Sequence, residues 1–211
     1  METTAQDQAI VKGKKRKVTQ DEKILSRNEI LAMIQAIPIN IGNFEKQGLM
    51  YRALIAMLYL TGARINELLT IKKSQFEYAE TNGIKYLIIN NVVTLKRREK
   101  FLRPFFLRKD FEEEFIKHVR AWLAEIYTDD ELIFKIKSAR AWQIVEKYTG
   151  KWDHYFRHVR NIDLVRYYGF NSYWLQRWNG WAKLQSGENY VHLVGQDLKE
   201  KILDINPERH F

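Results

Sequence analysis

Helical periodicity covers most of this chain, and one β-rich block interrupts it. Apolar residues recur at helical spacing between Ile30 and Ile37, and the same spacing returns from Phe111 onward. Between these regions, Ile84–Ile89 and Phe101–Leu107 are rich in β-branched or aromatic residues and flank a charged connection, which is typical of a hairpin. The sequence therefore predicts a mostly α domain with a small antiparallel β-sheet, an α+β fold.

Local signals place the first helices. Ser26 and Glu29 have the spacing of a capping box, in which the Ser26 side chain accepts from the helix and Glu29 reaches back. The first helix is predicted to continue until Pro38. A second helix is predicted over about residues 45–60, and we expect it to be buried because almost every residue near its end is apolar. Gly62 is expected to end it.

The two ends of the chain differ from this ordered middle. Residues 1–25 are polar and are predicted to form a basic flexible arm, which is either simply solvated or binds phosphates. Residues 196–211 are predicted to form a tail or a short helix. The residues of the arm that are candidates for DNA binding are Lys12, Lys14, Lys15, Arg16 and Lys17.

The chain is strongly basic and contains no cysteine. Its 35 Lys and Arg against 26 Asp and Glu leave a formal net charge of +9, which favours a polyanionic partner, nucleic acid before an anionic membrane. The absence of Cys excludes disulfides, thiolate metal sites and cysteine nucleophiles, and it suits a reducing compartment. No secretory signal opens the sequence, and its longest apolar run, Ala53–Leu60, is too short to span a bilayer. We therefore expect a cytoplasmic, DNA-associated protein with no membrane partner.

Several common kinds of site find no support. The sequence has no Gly-rich nucleotide-binding motif, and no converging carboxylates suggest a two-metal nuclease. The acidic run Glu112–Glu114 is predicted to form a solvated helix face. His154 and His158 have the i, i+4 spacing of zinc ligands, but no third ligand is evident nearby. We predict no metal site and no cofactor.

A Gly-Arg turn follows the predicted buried helix. Gly62 permits a tight turn, so that Arg64 projects from a rigid base with Glu67 one helical turn further on to orient it. An ordinary Arg–Glu pair at i, i+3 would give the same pattern. The segment Thr61–Leu68 resembles the first arginine box, T-G-x-R-x-x-E-L, of the tyrosine recombinases, the phage-integrase and Xer-type family.

The second half of the chain carries five further residues in the order that this family uses. His154, Arg157 and His158 resemble its H-x-x-R-H box. Trp181 follows 27 residues after His154, and Tyr190 stands nine residues after Trp181, where the family has its nucleophile. Each residue also has an ordinary explanation, such as a core histidine, a packed tryptophan or one of 11 tyrosines.

The β-rich block resembles the family's lysine hairpin, G-K-x-x-K-x-R-x-x-P. Lys96 stands eight residues before Pro104, as in that pattern, and is preferred to Lys100 as the catalytic lysine. Leu95 replaces the usual Gly before it. The neighbouring candidates for DNA binding are Arg97, Arg98 and Lys100.

The resemblance implies the tyrosine recombinase catalytic-domain fold over residues 26–195 and a reaction at Tyr190, which would attack DNA to give a 3′-phosphotyrosyl intermediate. Arg64 and Arg157 would stabilise charge on the phosphate oxygens because guanidinium groups stay protonated and bind two oxygens. Lys96 would protonate the leaving 5′-oxygen.

The remaining family residues would complete this site. His154 and Trp181 would add hydrogen bonds to the phosphate, and His154 would also help to deprotonate the tyrosine. Glu67 and His158 would support these groups from behind.

The implied function is site-specific recombination or integration of a mobile element, without a metal ion. The partners would be double-stranded DNA and further copies of the chain in a synaptic tetramer. Two alternatives stay open, a type IB topoisomerase-like enzyme that nicks and reseals, and a non-catalytic DNA-binding relative. Only 25 residues precede the domain, where the family usually has a core-binding domain, so the sequence is either a catalytic fragment or a minimal enzyme.

Overall fold

The computed structural model describes residues 24–95 and 101–195, with side chains as far as residue 191. The basic arm, the turn of the predicted lysine hairpin and the C-terminal tail lie outside these residues. None of the helices in the described ranges is long and apolar enough to cross a membrane.

Eight α-helices and three strands make up the described part of the chain. The helices are α1 (Arg27–Ala36), α2 (Gln47–Thr61), α3 (Ile65–Leu68), α4 (Lys109–Leu123), α5 (Ser138–Thr149), α6 (Asp153–Tyr168), α7 (Ser172–Asn179) and α8 (Gln185–Gly195). The strands are β1 (Phe76–Thr81), β2 (Ile84–Thr94) and β3 (Phe101–Arg108), preceded by a short 3-10 helix at Lys73–Gln75. The expected mostly α fold with a small antiparallel sheet is confirmed.

The capping box at the start of α1 is present. The Ser26 hydroxyl accepts from the Glu29 backbone at 3.3 Å, and the Glu29 carboxylate accepts from the Ser26 backbone at 2.8 Å. The helix buries Ile30 and Ile34 and ends just before Pro38. The local sequence thus sets both ends of α1, because capping needs only residues within one turn.

Helix α2 lies at the centre of the fold. Residues 53–61 are all buried, since the helix contacts α1, α4, α5 and α6. Gly62 ends it in the left-handed conformation, with φ of 60°. At that turn α6 approaches closely, because a Cβ on Gly62 would lie 3.5 Å from Cβ of Arg160. The turn therefore brings the segment that follows α2 against α6.

The sheet has the order β1-β2-β3 and is antiparallel throughout. Thr94 pairs with Phe101 next to the turn, and the register shifts between Ile89 and Val92. Strand β1 had no counterpart in the sequence prediction. Most of its residues are exposed or half-buried, so it lacks the strong apolar alternation that identifies a strand.

The expectation of a solvated acidic face on α4 is wrong for its first member. Glu112 is fully buried and accepts hydrogen bonds from Arg160 at 2.5 Å, Tyr168 at 2.8 Å and Arg27 at 3.1 Å. Glu114 is exposed, as expected. Two guanidinium groups compensate the buried carboxylate, and this pairing permits a charge inside the core.

Candidate active site

Arg64 and Glu67 form a compact pair just after α2, with Arg64 at the N-cap of α3 and Glu67 within that helix. Nη1 of Arg64 donates to Oε1 of Glu67 at 2.8 Å, and the Arg64 backbone donates to Oε2 at 3.0 Å. The Arg64 side chain is 18 % exposed, whereas that of Glu67 is completely buried. The pair therefore has one accessible cation held by one inaccessible carboxylate.

Helix α6 brings the H-x-x-R-H residues to this pair. Nε of Arg157 donates to the carbonyl oxygen of Gly62 at 2.5 Å, and its Nη2 lies 3.4 Å from Oε2 of Glu67. Arg157 is buried. The two arginine-containing segments, 90 residues apart in sequence, thus meet at one carboxylate.

A third arginine at this carboxylate was missed by the sequence analysis. Arg103, on β3, donates from Nη2 to Oε2 of Glu67 at 2.8 Å, and its side chain is only 3 % exposed. It points inward on the same face of the strand as Phe105 and Leu107. A cation in the buried register of an alternating strand was the signal that could have identified it.

The charges at this cluster are unbalanced in favour of cations. Burial alone would raise the pKa of Glu67, but the charges of Arg103 and Arg157 outweigh it and lower this pKa below its ordinary value. Burial and the charge of Arg64 lower the pKa of Arg157 to about 9. Because a nearby anion would relieve that penalty, three guanidinium groups around one carboxylate form a site suited to a phosphate.

Tyr190, on α8, contacts the last histidine of the same helix box. Its hydroxyl is 2.5 Å from Nδ1 of His158, and its ring stacks on Trp181 with centroids 5.9 Å apart and planes 13° apart. Burial raises the pKa of Tyr190, and the Asn161 side chain and the Arg157 charge oppose this rise. The family's expected supporting histidine therefore makes direct contact with the expected nucleophile.

The structure places His154 on the first turn of α6. Its side chain is 43 % exposed, and its Nδ1 lies 3.2 Å from Oδ1 of Asp153. On the helix it precedes Arg157 and His158 by three and four residues, so the three side chains share one face. His154 is thus accessible to a ligand on the face that carries the buried arginine.

Trp181 follows the glycine that ends α7. Gly180 has φ of 64°, and a Cβ there would lie 2.8 Å from Oγ1 of Thr94 and 3.0 Å from Nη1 of Arg103. The Gly180–Trp181 turn is consequently packed directly against the β2–β3 hairpin close to its turn.

The remaining predicted residues fall outside the described part of the chain. Lys96, the predicted general acid, is one of them. The others are the candidates for DNA binding, Lys12, Lys14, Lys15, Arg16, Lys17, Arg97, Arg98 and Lys100. Among the described residues, no three His, Asp or Glu side chains form a group that could hold a metal ion.

Comparisons with known proteins identify the fold. No protein-family model and no curated protein matches the sequence. The XerH site-specific recombinase bound to its difH substrate has a similar structure, with a TM-score of 0.60 and 23 % identity over 88 % of this chain. The XerA recombinase is similar over 91 % of this chain, with a TM-score of 0.58 and 18 % identity.

The Tn1549 transposon integrase in complex with transposon right-end DNA has a TM-score of 0.55 and 14 % identity over 88 % of this chain. The chain spans 56 % of the XerH chain, 66 % of XerA and 68 % of the integrase. The expected fold class is confirmed by these likenesses: this chain has the catalytic-domain fold of the tyrosine recombinases.

Proposed function

We propose that this protein is a tyrosine recombinase that cleaves and rejoins double-stranded DNA without a metal ion, with residues 26–195 as its catalytic domain. The observation that carries the proposal is that the arginine cluster and the Tyr190 hydroxyl contact neighbouring residues of α6. The arginine cluster around Glu67 lies at Arg157, and the Tyr190 hydroxyl lies at His158, the next residue along the helix. A phosphate site thus adjoins a nucleophile.

The arginines would stabilise the phosphodiester as it gains charge in the transition state. Arg64 is the accessible member of the cluster, and Arg157 is held in place by Gly62 and Glu67. Guanidinium groups fixed before the reaction need no reorganisation when charge develops, and removal of one such donor costs about 10²–10³ in rate. His154 and Trp181 would donate further hydrogen bonds to the same oxygens.

Proton transfer would accompany each bond change. The Tyr190 oxygen attacks phosphorus while its proton passes to Nδ1 of His158, which is already within hydrogen-bond distance. The bond from phosphorus to the 5′-oxygen breaks, and that oxygen takes a proton from Lys96. The reverse steps rejoin the strand, because the phosphotyrosyl bond preserves the energy of the phosphodiester.

The fold favours recombination or integration as the function of this chemistry, because XerH, XerA and the Tn1549 integrase have similar folds. Exchange between two DNA sites would require several copies of the chain, and we propose a homo-oligomer, a synaptic tetramer, on DNA. The alternative, topoisomerase-like nicking and resealing, would need no such assembly.

Covalent trapping tests the proposal. Wild-type protein, Tyr190→Phe and Tyr127→Phe are incubated with nicked duplexes from the genomic neighbourhood of the gene, in the presence of a chelator, and separated on a denaturing gel. Tyr127 is a matched control because it is a tyrosine whose side chain is 93 % exposed, unlike the buried Tyr190. Wild type and Tyr127→Phe should form a covalent protein–DNA band, and Tyr190→Phe should form none. A band from Tyr190→Phe would refute the assignment of the nucleophile.

A supercoiled plasmid that carries two copies of the trapped site then separates exchange from relaxation. Recombination predicts deletion or inversion products between the copies. Relaxed circles without any exchange product would favour the topoisomerase-like alternative.

A further inference from the structure

A pair of buried asparagines joins α6 to α7. Asn161 lies on α6, Asn179 is the last residue of α7, and both are buried. The Nδ2 atom of Asn179 donates to Oδ1 of Asn161 at 2.8 Å and to the carbonyl oxygen of Leu175 at 3.0 Å. Leu175 packs in the same apolar cluster as Tyr190, so the asparagine pair adjoins the cluster that holds the expected nucleophile.

The bonds of Asn179 fix the orientation of both amide groups. A carbonyl oxygen can only accept, so the end of Asn179 that faces Leu175 must be its NH2 group. The same NH2 group faces Asn161, which must therefore present its oxygen and not a second donor. The Nδ2 atom of Asn161 is thus at the other end of its amide, and no acceptor within the described residues has hydrogen-bond geometry with it.

The acceptor available to this buried donor is the Tyr190 oxygen. Asn161 follows His158 by three residues, so the two side chains share one face of α6, and His158 contacts the Tyr190 hydroxyl. Burial raises the pKa of Tyr190, and the Asn161 side chain opposes this rise as a hydrogen-bond donor does when it favours the phenolate. A buried N–H group without an acceptor costs free energy, and the phenol oxygen removes that cost.

We propose that Nδ2 of Asn161 donates a hydrogen bond to the Tyr190 oxygen as this oxygen loses its proton, and that Asn179 is the positioning residue that orients it. The inference rests on the proposed function. In this step the O–H bond of Tyr190 breaks, its proton moves to Nδ1 of His158, and the electron pair stays on the oxygen that attacks phosphorus. Asn161 keeps its own protons and stabilises the negative charge.

The titration of Tyr190 tests the hydrogen bond without any DNA. The protein is labelled with 3-fluorotyrosine, whose fluorine makes the phenol more acidic, and the fluorine-19 NMR resonance of Tyr190 is identified by its absence in Tyr190→Phe. Loss of a donor to the phenolate raises the pH at which a phenol titrates. The midpoint should therefore move to higher pH in Asn161→Leu and Asn161→Asp, and by a smaller amount in Asn179→Leu.

Covalent cleavage by the same labelled proteins tests whether the hydrogen bond acts in the reaction. Single-turnover rates on a nicked duplex are measured below and above the wild-type titration midpoint. Below it, Asn161→Leu should be about tenfold slower than wild type, as the loss of one hydrogen bond to a charged group implies. Above it the difference should shrink, because the wild-type phenol is already ionised while that of the variant continues to ionise. A purely structural defect would slow cleavage by one factor at every pH.

Asn171→Ala is the matched control, since Asn171 is an exposed asparagine that caps α7 by accepting from the Trp174 backbone. It should leave both the midpoint and the cleavage rate unchanged, although it removes a cap. Asn161→Asp has the shape of the wild-type residue and keeps an acceptor for Asn179, so it serves where leucine disrupts packing. Thermal melting of every variant reports whether the fold is retained.

Two results would overturn the inference. One is an unchanged Tyr190 midpoint in both Asn161 variants, and the other is slowing of cleavage by the same factor at every pH. A raised midpoint with no covalent adduct from wild type would instead refute the proposed function and, with it, the part of Asn161 in the reaction, while the hydrogen bond itself would stand.

Discussion

The hydroxyl of Tyr190 lies 2.5 Å from Nδ1 of His158, so two residues 32 positions apart are in direct hydrogen-bond contact. For the tyrosine to donate, Nδ1 must be unprotonated and the proton of the neutral ring must be on Nε2. The contact allows His158 to accept the proton of the proposed nucleophile, whereas the His154 side chain is 43 % exposed and lies next to Asp153.

Replacement of His158 tests this division of roles. His158→Ala should cleave DNA about 100-fold more slowly, the lower range for loss of a general base. Its rate should rise as pH increases from 7 to 9, because burial raises the pKa of Tyr190 and hydroxide must then remove the proton. His154→Ala, the matched control, should be slower without gaining this dependence on pH. Parallel pH–rate profiles for the two variants would contradict the assignment.

Glu112 should be important for stability. Glu112→Ala leaves Arg160 buried without its carboxylate and should lower the free energy of unfolding by about 3–5 kcal/mol, as breaking a buried ion pair does. Glu114→Ala, two residues further on the same helix and exposed, should change it by less than about 0.5 kcal/mol. Urea denaturation of both variants measures the difference, and equal losses would be inconsistent with the buried network.

Alanine substitutions at two glycines that end helices test the contact between α7 and the hairpin. Gly150 and Gly180 have φ of 63° and 64°, but a Cβ on Gly150 meets nothing within 4 Å, whereas one on Gly180 meets Thr94 and Arg103. Gly150→Ala should cost about 1–2 kcal/mol from backbone strain alone, and Gly180→Ala about 1–3 kcal/mol more from overpacking. Only Gly180→Ala should also slow covalent cleavage. Similar melting temperatures for the two variants would show that Thr94 and Arg103 can move away from the added methyl group without a loss of stability.

Stability should fall in acid. Arg103 and Arg157 overcome the burial of Glu67 and lower its pKa, and Arg160 and Arg27 do the same for Glu112. The unfolded chain therefore binds these protons at higher pH than the native state does, so stability is present above about pH 4.5, the ordinary pKa of these groups, and is lost below it. Each unit of pKa difference is worth about 1.4 kcal/mol.

Urea midpoints between pH 3 and 6 measure this slope. Glu112→Gln should flatten the decline, because one of the two carboxylates no longer titrates. Asp163→Asn should steepen it, because burial raises the pKa of Asp163 and its contribution has the opposite sign. An unchanged slope in Glu112→Gln would show that its carboxylate does not titrate differently in the two states.

The salt dependence of DNA binding tests the proposed role of the basic arm. Deletion of residues 1–20 removes Lys12, Lys14, Lys15, Arg16 and Lys17. If all five contact phosphates, the slope of log K against log salt should become shallower by about 4.5. A chain in which these five residues are replaced by Gln controls for length and should behave like the deletion. An unaltered slope in both would mean that the arm does not bind DNA.

Features that depend on neighbours in sequence were predictable. The capping box of Ser26 and Glu29, the end of α2 at Gly62 and the strands of the hairpin follow from local chemistry, and each appears in the structure. Strand β1 was missed because its residues face solvent on most positions, so its pairing with β2 provides the only strong signal.

The sequence by itself identified Arg64, His154, Arg157 and Tyr190 as candidates, because each belongs to a short motif whose residues are close neighbours in the chain. Only the tertiary structure decided that Arg103 joins Glu67 and that His158 touches Tyr190. Both contacts link separate elements, β3 to α3 and α6 to α8. The physical reason is that burial of a carboxylate or a hydroxyl demands a partner, and which distant residue supplies it depends on how the elements pack.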